Sequence, residues 1–147
     1  MSIRFISLIV FVLLAGAASL FSGCAEEAVN AELLISNEEF FITQTGAQGY
    51  EVHARGTVRN VGDVDVRDLT MVGDCPSCNA AFRQANWFKI DVEKTDDQKA
   101  VIRYLGKGER ANFEVKGLAF FSTAGGAPPT ELPTELKTEI ISYTVVK

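Results

Sequence analysis

Along most of this chain, apolar and polar residues alternate every second position, the period of a strand with one buried face. The pattern is clearest in residues 50–60. Tyr50, Val52, Ala54, Gly56 and Val58 share one face, and Glu51, His53, Arg55, Thr57 and Arg59 share the other. The first set is expected inside and the second in solvent. Residues 38–44, with Phe40, Phe41 and Ile42, form an earlier strand. Asn60-Val61-Gly62-Asp63 supplies a turn. Residues 64–73 resume as a strand, but the apolar phase slips between Val66 and Leu69, which predicts a bulge. Residues 79–86 are polar, with room for a helical turn. Residues 87–93 alternate again, with Phe88, Ile90 and Val92 on one face. Thr95-Asp96-Asp97-Gln98 turns the chain into a strand over residues 100–105. Gly106-Lys107-Gly108 then turns it into a strand carrying Ala111, Phe113 and Val115, and a last strand covers residues 138–146. About seven short strands without a long helix predict an all-β, two-sheet antiparallel β-sandwich. A parallel α/β sheet would need helices between the strands.

The first residues follow a different pattern. Arg4 precedes an apolar run from Phe5 to Leu14, which fades into Ala15-Gly16-Ala17-Ala18. This three-part build is that of a secretory signal peptide. The competing reading, a permanent anchor over residues 5–21, is at the short limit for a span and has no basic flank before Arg55. Leu20-Phe21-Ser22-Gly23-Cys24 resembles a lipobox, the lipoprotein processing site of bacteria and some archaea. The resemblance implies that residues 1–23 are removed and that Cys24 carries a diacylglycerol and fatty acyl chains such as palmitate. Residues 24–36 would then be a lipidated tether and residues 37–147 the β-sandwich domain. Two or three chains hold stably in a bilayer, at about 0.8 kcal/mol per buried CH2.

Charge narrows the partners. Removing Arg4 with the signal leaves 13 basic against 19 acidic residues, a net charge near −6. Nucleic acid requires a basic footprint, and anionic lipid attracts the same sign. The expected partners are therefore the membrane, through the lipid on Cys24, and an envelope protein, with no nucleic acid.

Three segments are similar to the FxLYD family of small envelope domains, often found on lipoproteins. Gly56-Thr57-Val58-Arg59-Asn60-Val61-Gly62 is similar to its G-x-V-x-N-x-G strand and turn. Val64 and Val66 leading into Leu69, Met71 and Val72 stand where its naming motif lies, with Val72-Gly73-Asp74 in place of Tyr-Asp. Leu105-Gly106-Lys107-Gly108-Glu109, followed by Phe113, is similar to L-x-P-G-E-x-x-x-F, with Lys107 for Pro. The resemblance implies an immunoglobulin-like sandwich. It supplies no catalytic residues, and a fold does not fix a function.

The candidate chemistry centres on Cys75 and Cys78, with Pro76-Ser77 between them. If lipid takes Cys24, these two remain as a pair in an oxidising compartment. A structural disulfide at the end of the strand through Val72 is expected. A thiol–disulfide redox protein is the alternative. A redox dithiol sits where a strand feeds a helix, whose N-terminus lowers the thiol pKa. Asp74 could cap such a helix, but its carboxylate would oppose that shift. A metal site needs about four ligands, and the chain offers this pair and one histidine, His53, on a face expected to be solvated. No nucleophile elbow or phosphate-binding loop is present. No catalytic, cofactor or metal residue is therefore expected, and the chain reads as a non-catalytic binding or assembly module. The aromatics Phe40, Phe41, Trp87, Phe88, Phe113, Phe120 and Phe121 are expected in the core. Residues 118–121, running into the Gly- and Pro-rich stretch 122–129, read as a strand plus connector, with a loop-borne contact site as the alternative.

Overall fold

The computed structural model describes residues 31–147 apart from Asp91, so Cys24 and the signal segment lie outside the described residues. Six strands form two antiparallel three-stranded sheets. They are β1 (Leu33–Gln44), β2 (Gly49–Asn60), β3 (Val66–Asp74), β4 (Ala100–Leu105), β5 (Arg110–Ser122) and β6 (Lys137–Val145). One sheet has the order β1-β2-β5 and the other β4-β3-β6. A 3-10 turn, Asp96–Gln98, stands between β3 and β4. The architecture is the expected sandwich, with six strands rather than seven.

The missing strand is the one read over residues 87–93. Its alternation is real, but only Phe88 finds a ladder partner, bridging Asn79 on one side and Phe120 on the other. Alternation without a neighbour to bond does not make a strand. Residues 79–86 likewise form turns rather than a helix. Two strands run longer than expected. β1 starts at Leu33, so the end of the predicted tether is already in the sheet, pairing Leu33 with Asn60. β5 continues through residues 118–121 to Ser122.

The core lies between the sheets. Val52, Ala54 and Val58 of β2 face Leu69 and Met71 of β3, joined by Phe113, Val115 and Leu118 of β5. A Cβ at Gly73 would lie 2.2 Å from Leu118 Cγ, so the two sheets meet where β3 carries no side chain. The phase slip between Val66 and Leu69 is a bulge. The pairing of β3 with β6 shifts there, and Asp68 takes φ 53°, which turns Leu69 back to the core.

The two ends of the sandwich differ. At the end where β1 begins, Asn60 is fully buried and holds three chain segments. Its Nδ2 donates to Val64 O (2.6 Å) and Leu105 O (3.2 Å), and its Oδ1 accepts from Gly62 N (3.1 Å). Glu109 Oε2 accepts from Gly106 N at 2.8 Å and shapes the adjoining turn. The opposite end carries the longer irregular segments, residues 75–99 and 123–136, together with the β1–β2 turn.

Candidate functional site

The loop end is built on the last residue of β3. Cys75 and Cys78 are joined by a disulfide directly after it, with Cα atoms 5.4 Å apart. Pro76 and Ser77 make the turn between them, closed by Cys78 N donating to Cys75 O at 3.1 Å. Cys75 has no exposed surface, and Cys78 is nearly as buried. The flanking chain is a β-strand before and turns after, so no helix dipole addresses either sulfur. Asp74 caps no helix. Its carboxylate instead lies 3.3 Å from Lys89 Nζ and 4.0 Å from Lys137 Nζ. Lys94 joins this group half-buried. Burial pushes its pKa down, Asp74 opposes that shift and Lys89 adds to it.

A strap formed by residues 129–136 closes over the disulfide loop. Ser77 Oγ accepts from Glu135 N (3.1 Å) and donates to Glu135 O (3.4 Å). Trp87 Nε1 donates to Glu131 O at 3.0 Å. Residues 129–136 read Pro-Thr-Glu-Leu twice over, and Glu131 and Glu135 occupy equivalent places in the two copies, so each copy supplies one backbone anchor. Leu136 packs on the core while Leu132 stays exposed. The indole edge rests on Phe121, with ring centroids 5.2 Å apart. Between strap and loop lies a cleft of about 300 Å³, lined by Ser77, Asn79, Asn86, Trp87, Leu132 and Thr134 among others.

A second cleft, of about 270 Å³, opens on the outer face of the β1-β2-β5 sheet. Ile90, Val92 and Phe120 form its apolar wall, and Glu51, Asp97 and Lys116 its charged rim. Phe82, Phe88 and Phe120 stack beside it at centroid distances of 5.2 and 5.9 Å. A third groove, of about 470 Å³, lies further along the same face beside Arg55, which Glu39 holds by bonds of 2.9 and 2.7 Å.

One expectation needs correction, and one alternative falls away. His53 is not on a solvated face; it is 8% exposed. Phe41, its partner in β1, meets the imidazole edge-on at 5.6 Å, and Glu51 Oε2 lies 3.1 Å from Nε2. Residues 118–121 are the strand of the strand-plus-connector reading rather than part of a loop. Leu118 and Ala119 are fully buried and Phe121 nearly so, because β5 carries them between the sheets. Of the aromatics expected in the core, Phe113 and Phe121 are buried, while Phe40, Phe41, Trp87, Phe88 and Phe120 are half-buried. Sequence reading missed the strap. Its available signal was the doubled tetrapeptide. Among the described residues, no three His, Cys, Asp or Glu side chains are placed to hold a metal ion.

Comparison with protein-family models, curated proteins and solved structures finds no match for this chain.

Proposed function

We propose that the chain is a lipid-anchored, non-catalytic binding or assembly module of the cell envelope, of the FxLYD kind, exposed on the periplasmic or extracellular side. The observation that carries this reading is the polarity of the sandwich. The chain enters at the Asn60 end, where Val61 N and Gly62 N donate to Glu32 O at 2.8 and 3.1 Å. The strap, the disulfide loop and both Phe120 and Trp87 clefts crowd the other half. An anchor on Cys24 is nine residues from Leu33, a reach of at most about 30 Å. The loop end is therefore the part of the domain farthest from its tether, and binding residues gather on loops held by a rigid scaffold. Asn60, Gly62, Leu105 and Glu109, which carry the family likeness, build the tethered end and leave the other free to vary.

The test has two parts. Cys24→Ser should abolish acylation and release the protein from the membrane fraction; retained lipid would refute the anchor. Photo-crosslinking residues placed at Asn86 and at Lys107 in intact cells should yield a discrete adduct at Asn86 only. Equal adducts, or adducts at Lys107 alone, would refute a loop-end binding role. The thiol–disulfide alternative requires turnover of a disulfide substrate that is lost with Cys75→Ser, and a reduction potential in the oxidant range.

A further inference from the structure

β2 is the middle strand of its sheet, and two of its outward arginines are set in opposite surroundings. Arg55 stands between Glu39 of β1 and Glu114 of β5. Arg59, four residues on, stands between Leu34 of β1 and Arg110 of β5. Like charges directly opposite on neighbouring strands repel. No ion pair among the described residues involves Arg59 or Arg110. Three carboxylates at this end are committed elsewhere. Glu109 Oε2 accepts from Gly106 N, Lys107 Nζ holds Asp63 at 2.8 Å, and Asp65 binds the Tyr104 hydroxyl and Lys107 N. Both arginines are exposed, as are Leu34 (55%) and, in the adjoining turn, Val61 (39%). The row therefore presents two unmatched guanidinium groups beside aliphatic side chains.

We propose that this row docks on anionic headgroups of the membrane that holds the lipid on Cys24. The docking depends on that anchor. Two observations select this occupant. The first is charge. A phosphate between two guanidinium groups replaces their repulsion by charge-assisted bonds, and arginine matches phosphate oxygens two at a time. Leu34 and Val61 enter the apolar boundary beneath the headgroups, as interfacial aliphatic side chains do. The second is where the tether arrives. Leu34 is the second residue of β1 and lies ten residues after Cys24, a reach of at most about 35 Å. The tether thus holds the row beside the bilayer, where headgroup phosphate is the anion at high local concentration. The chain as a whole is acidic, and Asp96, Asp97, Glu131 and Glu135 are exposed at the loop end. An anionic surface therefore attracts the row and repels the loop end, and docking turns the clefts away from the membrane.

The test uses the processed, acylated chain in vesicles of phosphatidylcholine, alone or mixed with phosphatidylglycerol. With Cys24 acylated and Cys75 bonded to Cys78, a fluorophore on Val61→Cys is the sole label. A headgroup-attached quencher should quench it more strongly in the phosphatidylglycerol vesicles, and salt should remove the difference. A fluorophore on Asn86→Cys should give no difference. Each arginine favours the docked state about fivefold, so Arg59→Gln with Arg110→Gln should lower the docked ratio about twenty-fivefold. That variant should melt no lower than the wild type, because it relieves a like-charge pair. Arg83→Gln with Lys116→Gln, which takes the same charge from the loop half, should keep the difference. Equal quenching in the two vesicle types, or an equal loss in both double variants, would overturn the docking face. Protein that stays in solution with both vesicle types would remove the anchor, and the face with it. A response to phosphatidylglycerol that appears only after Glu26→Gln with Glu27→Gln would give the row to the tether's own carboxylates instead.

Discussion

Asn60 is one amide that serves three chain segments. It sits at the last position of β2, where an apolar residue would satisfy the packing but none of the polar groups around it. Removing it leaves Val64 O and Leu105 O short of a partner and Gly62 N with Glu32 O alone. A buried group left unpaired costs about 1–3 kcal/mol. Asn60→Ala should therefore lower stability by about 3 kcal/mol in urea unfolding, with an unchanged m-value. A loss below 1 kcal/mol would mean that water replaces the amide. Beside it, Asp65 binds the Tyr104 hydroxyl and Lys107 N. The hydroxyl first, and the backbone N–H second, hold the Asp65 carboxyl below the usual carboxylate range. A lowered folded-state pKa gives stability that is present above the unfolded value and lost as pH falls through the folded one. Tyr104→Phe should move the carboxyl titration midpoint of Asp65 upward, read by NMR of its side-chain carbon. An unmoved midpoint would assign the shift to Lys107 N alone. His53 marks the limit of reading residues singly. Its neighbours Glu51 and Arg55 make that face look wet, yet the ring is covered by Phe41 from another strand. No period within β2 contains that information.

At the scale of elements, the bulge at Asp68 was legible because it displaces a hydrophobic phase, and a displaced phase is visible in one strand alone. The strand over residues 87–93 was misread for the converse reason. Its period is correct, but strand formation depends on a partner, and Phe120 offers only one bridge. The end of β5 was hidden by a second irregularity. The pairing of β2 with β5 shifts between Val52 and Ala54, and Gly117 takes φ 62°, so alternation fails over residues 116–118 although the strand goes on. The disulfide was legible from spacing and from its place after the third strand. It closes a loop of only four residues, for which chain entropy gives about 2 kcal/mol. Cys75→Ser with Cys78→Ser should lower Tm by about 5–10 °C and preserve the fold. The strap should respond more than the sheets do. Ser77 is fixed by the bridge on both sides, so acrylamide should quench Trp87, the sole tryptophan, more strongly in the double variant. Unchanged quenching would show that the strap holds without the bridge.

For the molecule as a whole, what matters is that its two ends are held by different means. The Asn60 end is tied by bonds among β2, β3, β4 and β5 and their turns: Asn60 N to Glu109 O at 2.9 Å, Gly108 N to Asn60 O at 2.9 Å, and Lys107 Nζ to Asp63 at 2.8 Å. The two backbone bonds open only when the β2–β5 ladder opens, whereas the Lys107–Asp63 pair is an exposed surface contact. The loop end is tied by isolated contacts, each releasable alone: the Phe88–Phe120 bridge, Trp87 to Glu131, Ser77 to Glu135. Opening free energy follows how many interactions must break together. Amide hydrogen exchange under native conditions should therefore separate the ends. Asn60 and Gly108 should exchange only through global unfolding, with protection that falls as denaturant rises along the full m-value. Phe88, Asn79 and Glu135 should exchange through smaller openings that depend little on denaturant. Strand amides at the loop end, such as Val52 and Phe121, should side with the first group, because β2 and β5 run the whole length of the sandwich. If Glu135 were protected as strongly as Asn60, the strap would be part of the cooperative unit. The loop end would then be a rigid wall, and its clefts fixed in shape before any partner arrives.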